Sequence, residues 1–111
     1  ERQCFVMIET QGALDDAAAI ARLPFVDGLF VGPSDLSLAR GRGVFQSTPA
    51  DLADLKSIAK AAQAARKTWA AAAGHAGYRR AALALGPAFV TVADDLSALA
   101  TGFRILHGQA R

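Results

Sequence analysis

LFVGPSDLSLARGRG, residues 29–43, is the stretch on which the reading of this chain turns. A short apolar run, Leu29–Val31, breaks at Gly32-Pro33 and delivers Asp35 just past its end. Gly-Pro cannot extend a ladder, so the run reads as a buried strand that turns sharply at its C-terminal end. An earlier apolar run, Cys4–Ile8, has the same character and ends at Glu9. Two carboxylates therefore follow two consecutive strands.

Working outward, residues 12–22 (GALDDAAAIAR) place Leu14, Ala17, Ala18 and Ala21 on one helical face. Asp15 and Asp16 lie toward the positive end, and Pro24 stops the helix. Asp27-Gly28 turns the chain into Leu29–Val31. A loop is expected from Ser34 to Gln46. Ser47 or Thr48 can then cap a helix with Pro49 in its first turn and Asp51 completing a capping box. Leu52, Leu55, Ile58, Ala59 and Ala62 form its apolar stripe, and Lys60, Arg66 and Lys67 crowd its negative end. Thr68–Ala73 (TWAAAA) has helix-forming composition but falls where a third strand belongs. His75–Leu85 reads as a helix closed by Gly86-Pro87, and Ala88–Ala93 (AFVTVA) as a strand. After Asp94-Asp95, a last helix carries Leu96, Leu99, Ala100, Phe103 and Leu106 at helical spacing.

The order is βαβαβαβα, an α/β fold of parallel strands covered by helices. Four units cannot close a (β/α)8 barrel, which takes about 250 residues. Residues 1–111 thus read as a single domain or as half of a barrel, one that opens almost directly on a strand, as a fragment or a processed chain would.

Composition narrows the function classes. The chain is 52% apolar and 20% charged, a globular balance, with 12 basic and 10 acidic residues for a net charge of +2. Its arginines are scattered and not interleaved with aromatics, which argues against nucleic acid. No apolar run reaches the roughly 18 residues of a membrane span. The single cysteine, Cys4, cannot form an internal disulfide and suits a reducing cytoplasm. It precedes the middle of its strand and is expected to be a buried bystander.

In α/β folds the C-terminal strand ends form the functional face. Glu9 and Asp35 there could share a divalent cation, and oxygen-only ligation with open water positions suits Mg²⁺ or Mn²⁺. Equally, Asp35 could cap a turn and Glu9 could pair with an arginine. The lysines argue separately: Lys56 and Lys60 fall in a helix and Lys67 precedes a strand. None is placed on the reactive face for Schiff-base chemistry.

VMIET, followed by VDGLFVGPSDLS and LARGRG, resembles the HpcH/HpaI aldolases, the class II pyruvate aldolases related to the citrate lyase β-subunit and malyl-CoA lyases. AFVTVADDLSAL continues the same order more weakly. The resemblance is to the second half of that family's (β/α)8 barrel, from about the fifth strand onward. It implies that Glu9 and Asp35 are metal ligands and the catalytic acids, with Mg²⁺, Mn²⁺ or Co²⁺ as cofactor. It implies that backbone around Gly32, Pro33 and Ser34 binds the pyruvate carboxylate, Pro33 having no N–H of its own. The activity implied is reversible aldol cleavage of a 4-hydroxy-2-oxo acid to pyruvate and an aldehyde, through a metal-stabilised enolate, in a cytoplasmic homo-oligomer. A CoA-ester lyase is the variant reading, and a catalytically incomplete half-barrel that self-associates is the alternative of another class. The family's substrate arginine and proton-transferring His–Asp pair belong to the first half of the barrel, which this chain does not contain. VADDL stands where the family has a glycine-bearing segment, and AAAAGHAGY is unusual for the seventh strand and its loop.

His75 follows the third strand and is read as a solvated loop histidine, with a pocket-facing role as the alternative. His107, near a helix C-terminus, is explained by the dipole. Arg40 and Arg42, which alternate with Gly41 and Gly43, could meet an acidic substrate or a neighbouring subunit, or be solvated loop charges. Trp69 and the phenylalanines are read as core or interface.

Overall fold

A computed structural model describes residues 2–109. The elements run β1 (Phe5–Ile8), α1 (Gln11–Asp15), α2 (Ala17–Ala21), β2 (Gly28–Val31), α3 (Pro33–Ala39), α4 (Pro49–Ala64), β3 (Thr68–Ala72), α5 (Ala76–Ala84), β4 (Phe89–Thr91) and α6 (Asp95–Gln109). The four strands form one parallel sheet in the order β1-β2-β3-β4. Strands that neighbour each other in chain order, joined by crossovers of one hand, carry their helices on one face, as in a barrel wall.

The register separates the two faces. Ile8, Val31, Ala71 and Val90 lie in one row and pack with α2, α4 and α5. Leu29 and Trp69 are a second pair on that face, met by Leu55, Ile58, Ala59 and Ala62 of α4, all essentially removed from water. Each large side chain buried here contributes about 1.5–3 kcal/mol. Met7, Phe30, Ala70 and Phe89 make the alternate row on the opposite face. There the Phe5 and Phe89 rings meet edge to face at 5.5 Å, and Phe30 lies 6.1 Å from Phe89. Gly28 permits this, since a Cβ at that position would come 2.5 Å from the Phe5 ring. The two ends of the row are open, with Met7 49% and Phe89 46% exposed, while Phe30 is half-buried and Ala70 buried.

β3 is a strand despite its alanines, because the central position between β2 and β4 decides it over helix propensity. The expected single helix over residues 12–22 is instead two five-residue helices. Thr10 starts the first by accepting from the Ala13 N–H, and Asp16, a poor interior residue, breaks the run. The expected loop after Val31 contains α3, begun by Pro33 at its first position, where the missing N–H costs nothing. Cys4 is exposed, not buried, because it lies outside the strand it precedes. α6 has no buried residue, and the accessible surface, 7103 Å², exceeds the roughly 5,800 Å² of a compact globule of this mass. No helix among the described residues is long and apolar enough to cross a membrane.

Candidate active site

Glu9 and the turn from Gly32 to Asp35 stand where β1 and β2 end. Ile8 pairs with Val31, and the Gly32 N–H donates to the Ile8 carbonyl at 3.2 Å, so Glu9 and Gly32 stand side by side as both strands end. A Cβ at Gly32 would lie 3.2 Å from Glu9 Cβ and 3.4 Å from Glu9 Oε2. The glycine therefore leaves the space that the Glu9 side chain occupies. Gly32 is the N-cap of α3, Pro33 and Ser34 follow, and Asp35 lies in the first turn, where the helix dipole favours a carboxylate. Glu9 is half-buried and Asp35 exposed. Neither carboxylate has an ion-pair or hydrogen-bond partner among the described residues, which sets aside the reading in which Glu9 serves an arginine.

A cleft of about 340 Å³ opens beside them, lined by Pro33, Ser34, Phe45, Ala72, Gly74, His75 and the residues from Thr91 to Asp94 with Ser97. It takes in Pro33 and Ser34 but not Gly32, Glu9 or Asp35; Gly32 and Asp35 flank those two in the chain, and Glu9 meets the cleft's rim only through its neighbour Gly32. His75 is exposed, as its reading as a solvated loop histidine expected, and it also lines this cleft. Asp94 and Ser97 cap α6 reciprocally: the Ser97 N–H donates to Asp94 Oδ1 at 2.6 Å, and the Asp94 N–H to Ser97 Oγ at 3.1 Å. The Ser97 backbone and hydroxyl donors hold the Asp94 carboxyl below its ordinary pKa.

The arginines after α3 are partly exposed, and their guanidinium groups are engaged by acids of α4. Arg42 Nε donates to Asp51 Oδ1 at 3.0 Å, and Nη2 bonds Asp54 Oδ2 at 2.5 Å. Arg40 Nε sits 3.2 Å from Asp54 Oδ2 but out of line for a hydrogen bond. Left-handed Gly41 and Gly43, at φ 69° and 74°, turn the chain so that both arginines reach α4. Burial alone would lower the Arg42 pKa, but the hydrogen bonds and charges of Asp54 and Asp51 raise it. Burial alone would raise Asp51, yet donors from Thr48 and from Arg42 hold it below the ordinary carboxylate range. The Thr48–Asp51 capping box is present, with the Thr48 N–H donating to Asp51 Oδ2 at 2.8 Å.

Two carboxylates with free oxygens, one directly after β1 and one in the first turn of α3, suit a hard divalent cation that keeps water or substrate in its remaining positions. Among the described residues no cluster of three or more acidic, histidine or cysteine side chains offers a fuller cage. The lysines lie in α4, at Lys56 and Lys60, and just before β3, at Lys67.

No family model matches the sequence. Curated relatives do. The chain is 35% identical over 107 residues to a hydroxypyruvate/pyruvate aldolase of Rhizorhabdus wittichii, covering 95% of this chain and 43% of that protein. It is 38% identical over 97 residues to a 5-keto-4-deoxy-D-glucarate aldolase of Escherichia fergusonii, covering 87% and 38%. A solved HpcH/HpaI aldolase/citrate lyase family protein from Burkholderia cenocepacia superimposes with a TM-score of 0.85 at 28% identity, over 98% of this chain and 42% of that one. The chain belongs to the HpcH/HpaI aldolase family. It spans less than half the length of the curated relatives it matches. The barrel-half fold is supported further by an aldolase of the same family from Desulfitobacterium hafniense, at a TM-score of 0.85 and 23% identity.

Proposed function

We propose that this chain forms the metal- and pyruvate-binding half of a class II aldolase, which cleaves a 4-hydroxy-2-oxo acid reversibly to pyruvate and an aldehyde. The observation that carries the reading is the pair of unpartnered carboxylates beside an open cleft, Glu9 directly after β1 and Asp35 in the first turn of α3 after β2. In the cleavage direction the 4-hydroxyl loses its proton and its C–O bond becomes the aldehyde carbonyl. The C3–C4 bond breaks, its electrons pass into the enolate of pyruvate, and C3 then takes up a proton. Glu9 and Asp35 would hold the cation, Mg²⁺, Mn²⁺ or Co²⁺, which when bound supplies Lewis-acid compensation of the enolate charge. Gly32, Pro33 and Ser34 would seat the pyruvate carboxylate, using the N–H groups at the start of α3 and the Ser34 hydroxyl. The proton-transfer groups would come from a complementary barrel half. We take the complete enzyme to be a cytoplasmic homo-oligomer.

The test is deuterium exchange into the methyl group of pyruvate with added cation. We expect no exchange from the 111-residue chain alone. Exchange is expected when the N-terminal part of the Rhizorhabdus wittichii aldolase completes it, and loss of exchange in Glu9→Gln and Asp35→Asn. Exchange that persists in both variants would defeat the assignment. A panel of CoA thioesters tests the lyase variant in the same preparation.

A second reading rests on the uncovered aromatic row and the bare α6: two copies could close upon each other as a non-catalytic pair. Its surface excess of over 1,000 Å² is comparable to one side of a standard protein interface, about 800 Å². A monomeric mass in solution, with the sheet amides protected from exchange, would sink that pairing.

A further inference from the structure

The Glu9 and Asp35 carboxylates have no hydrogen-bond partner among the described residues, so their spacing is set by the elements that carry them. α3 has seven residues, too few to hold its shape alone. At its start it leaves β2 through Gly32, and at its end it is held by side chains. Ser37, buried, donates its hydroxyl to the Gly43 carbonyl at 3.0 Å, and the Arg42 N–H returns to the Ser37 carbonyl at 3.0 Å. This fold-back brings two guanidinium groups to one oxygen: Asp54 Oδ2 lies 3.2 Å from Arg40 Nε and 2.5 Å from Arg42 Nη2. The Asp54 side chain is only 9% exposed, so neither charge is fully screened there. Arg40 reaches further, and its Nη1 donates to Gln11 Oε1 at 2.5 Å. Among the described residues that is the one side-chain hydrogen bond joining α1 to another element.

Arg40 thus ties together the elements that carry both acids. Gln11 stands two residues after Glu9 and Arg40 five residues after Asp35, while Asp54 belongs to α4, the helix packed on the sheet. Asp35 is three residues from Gly32, roughly 4.5 Å of helix rise. A swing of α3 by about 10° about its Gly32 end would shift Asp35 by about 0.8 Å, beyond the roughly 0.5 Å that a metal site tolerates. Charge alone gives Arg40 the opposite effect. A guanidinium this near Asp35 repels a divalent cation, so its charge by itself weakens metal binding. Position and charge therefore predict changes of opposite sign.

We propose that Arg40, bridged to Gln11 and Asp54, is a positioning residue that fixes the spacing of Glu9 and Asp35 for a divalent cation. The inference rests on the metal site of the aldolase reading. The test is Mn²⁺ titration of the 111-residue chain by calorimetry, with the electron paramagnetic resonance spectrum of bound Mn²⁺ recorded in parallel. The unmodified chain should bind Mn²⁺, and Glu9→Gln should abolish binding. Arg40→Met should weaken binding about tenfold, the lower end for groups that orient metal ligands, and broaden the bound spectrum. Arg40→Lys keeps the charge but not the planar fork, and should stay weakened about threefold or more. Gln11→Ala is an uncharged change at an exposed position, and should weaken binding about threefold with the fold intact. It carries the test if Arg40→Met does not fold. The double variant should bind no more weakly than Arg40→Met, because both changes break one bridge. Unchanged or tighter binding in Arg40→Met overturns this inference alone, as does affinity unmoved by Gln11→Ala. A lowered urea midpoint with affinity and spectrum unmoved would reduce Arg40 to a stabilising role and overturn it equally. No binding to the unmodified chain, or binding that survives Glu9→Gln, overturns the metal reading and this inference together.

Discussion

Between α4 and the strands β2 and β3, Leu29, Val31, Leu55, Ile58 and Trp69 are withdrawn from water, whereas along α6 Leu96, Leu99, Phe103 and Leu106 remain 60–74% exposed. Both regions have apolar side chains at the spacing their secondary structure demands. The difference is a second layer. α4 lies across two strands and shares its stripe with α2, but α6 follows the short edge strand β4, whose own row is half bare. Amphipathic spacing alone therefore does not tell whether a face is covered. A helix of 15 residues with no buried residue is marginal on its own.

This contrast can be broken by substitution. Trp69→Ala should cost about 3–5 kcal/mol in urea denaturation, while Phe103→Ala in α6 should cost less than about 0.5 kcal/mol. Equal costs would mean that α6 is docked in solution. Arg42→Ala should cost about 2–3 kcal/mol, because it strands Asp51 and Asp54 near α4 without a counter-ion, moderated by the partial exposure of Arg42. Asp51 is held below its ordinary pKa in the folded chain. Its contribution is therefore complete above the unfolded value near 3.9 and disappears as pH falls through the folded one. Urea midpoints at pH 6 and pH 3 should draw together in Asp51→Asn, with the larger loss at pH 6.

Smaller effects sharpen the contrast at the site. Gly32→Ala should change stability by no more than about 1 kcal/mol. It should weaken Mn²⁺ binding about tenfold by calorimetry, because the new methyl presses on Glu9. The smallest energetic signal is local: α6 amides should exchange with deuterium at least about tenfold faster than those of α4, and slow when a complementary half is supplied.

The fold was legible where each residue obeyed one rule at a time. Leu29–Val31, Thr48–Asp51 and the α4 stripe needed only burial, capping and spacing. α3 escaped notice because seven residues show no full stripe, and Gly32-Pro33 reads as a stop although Pro33 is also a start. Glu9 and Asp35 could be singled out from their places after strands. That Glu9 lies against Gly32 depends on the β1–β2 register, which no local pattern carries. Arg40 and Arg42 were ambiguous for a similar reason, since their partners stand nine to fourteen residues on, across two left-handed glycines.

The aromatic row of Phe5, Phe30 and Phe89 has a thermal consequence. A protein of 111 residues ordinarily gains about 1.3–1.7 kcal/mol/K of heat capacity on unfolding, most of it from apolar surface newly wetted. Here part of that surface is wet before unfolding begins. The increment should be smaller and the stability curve flatter, so the chain alone would resist cold better than its size suggests, while its peak stability stays low.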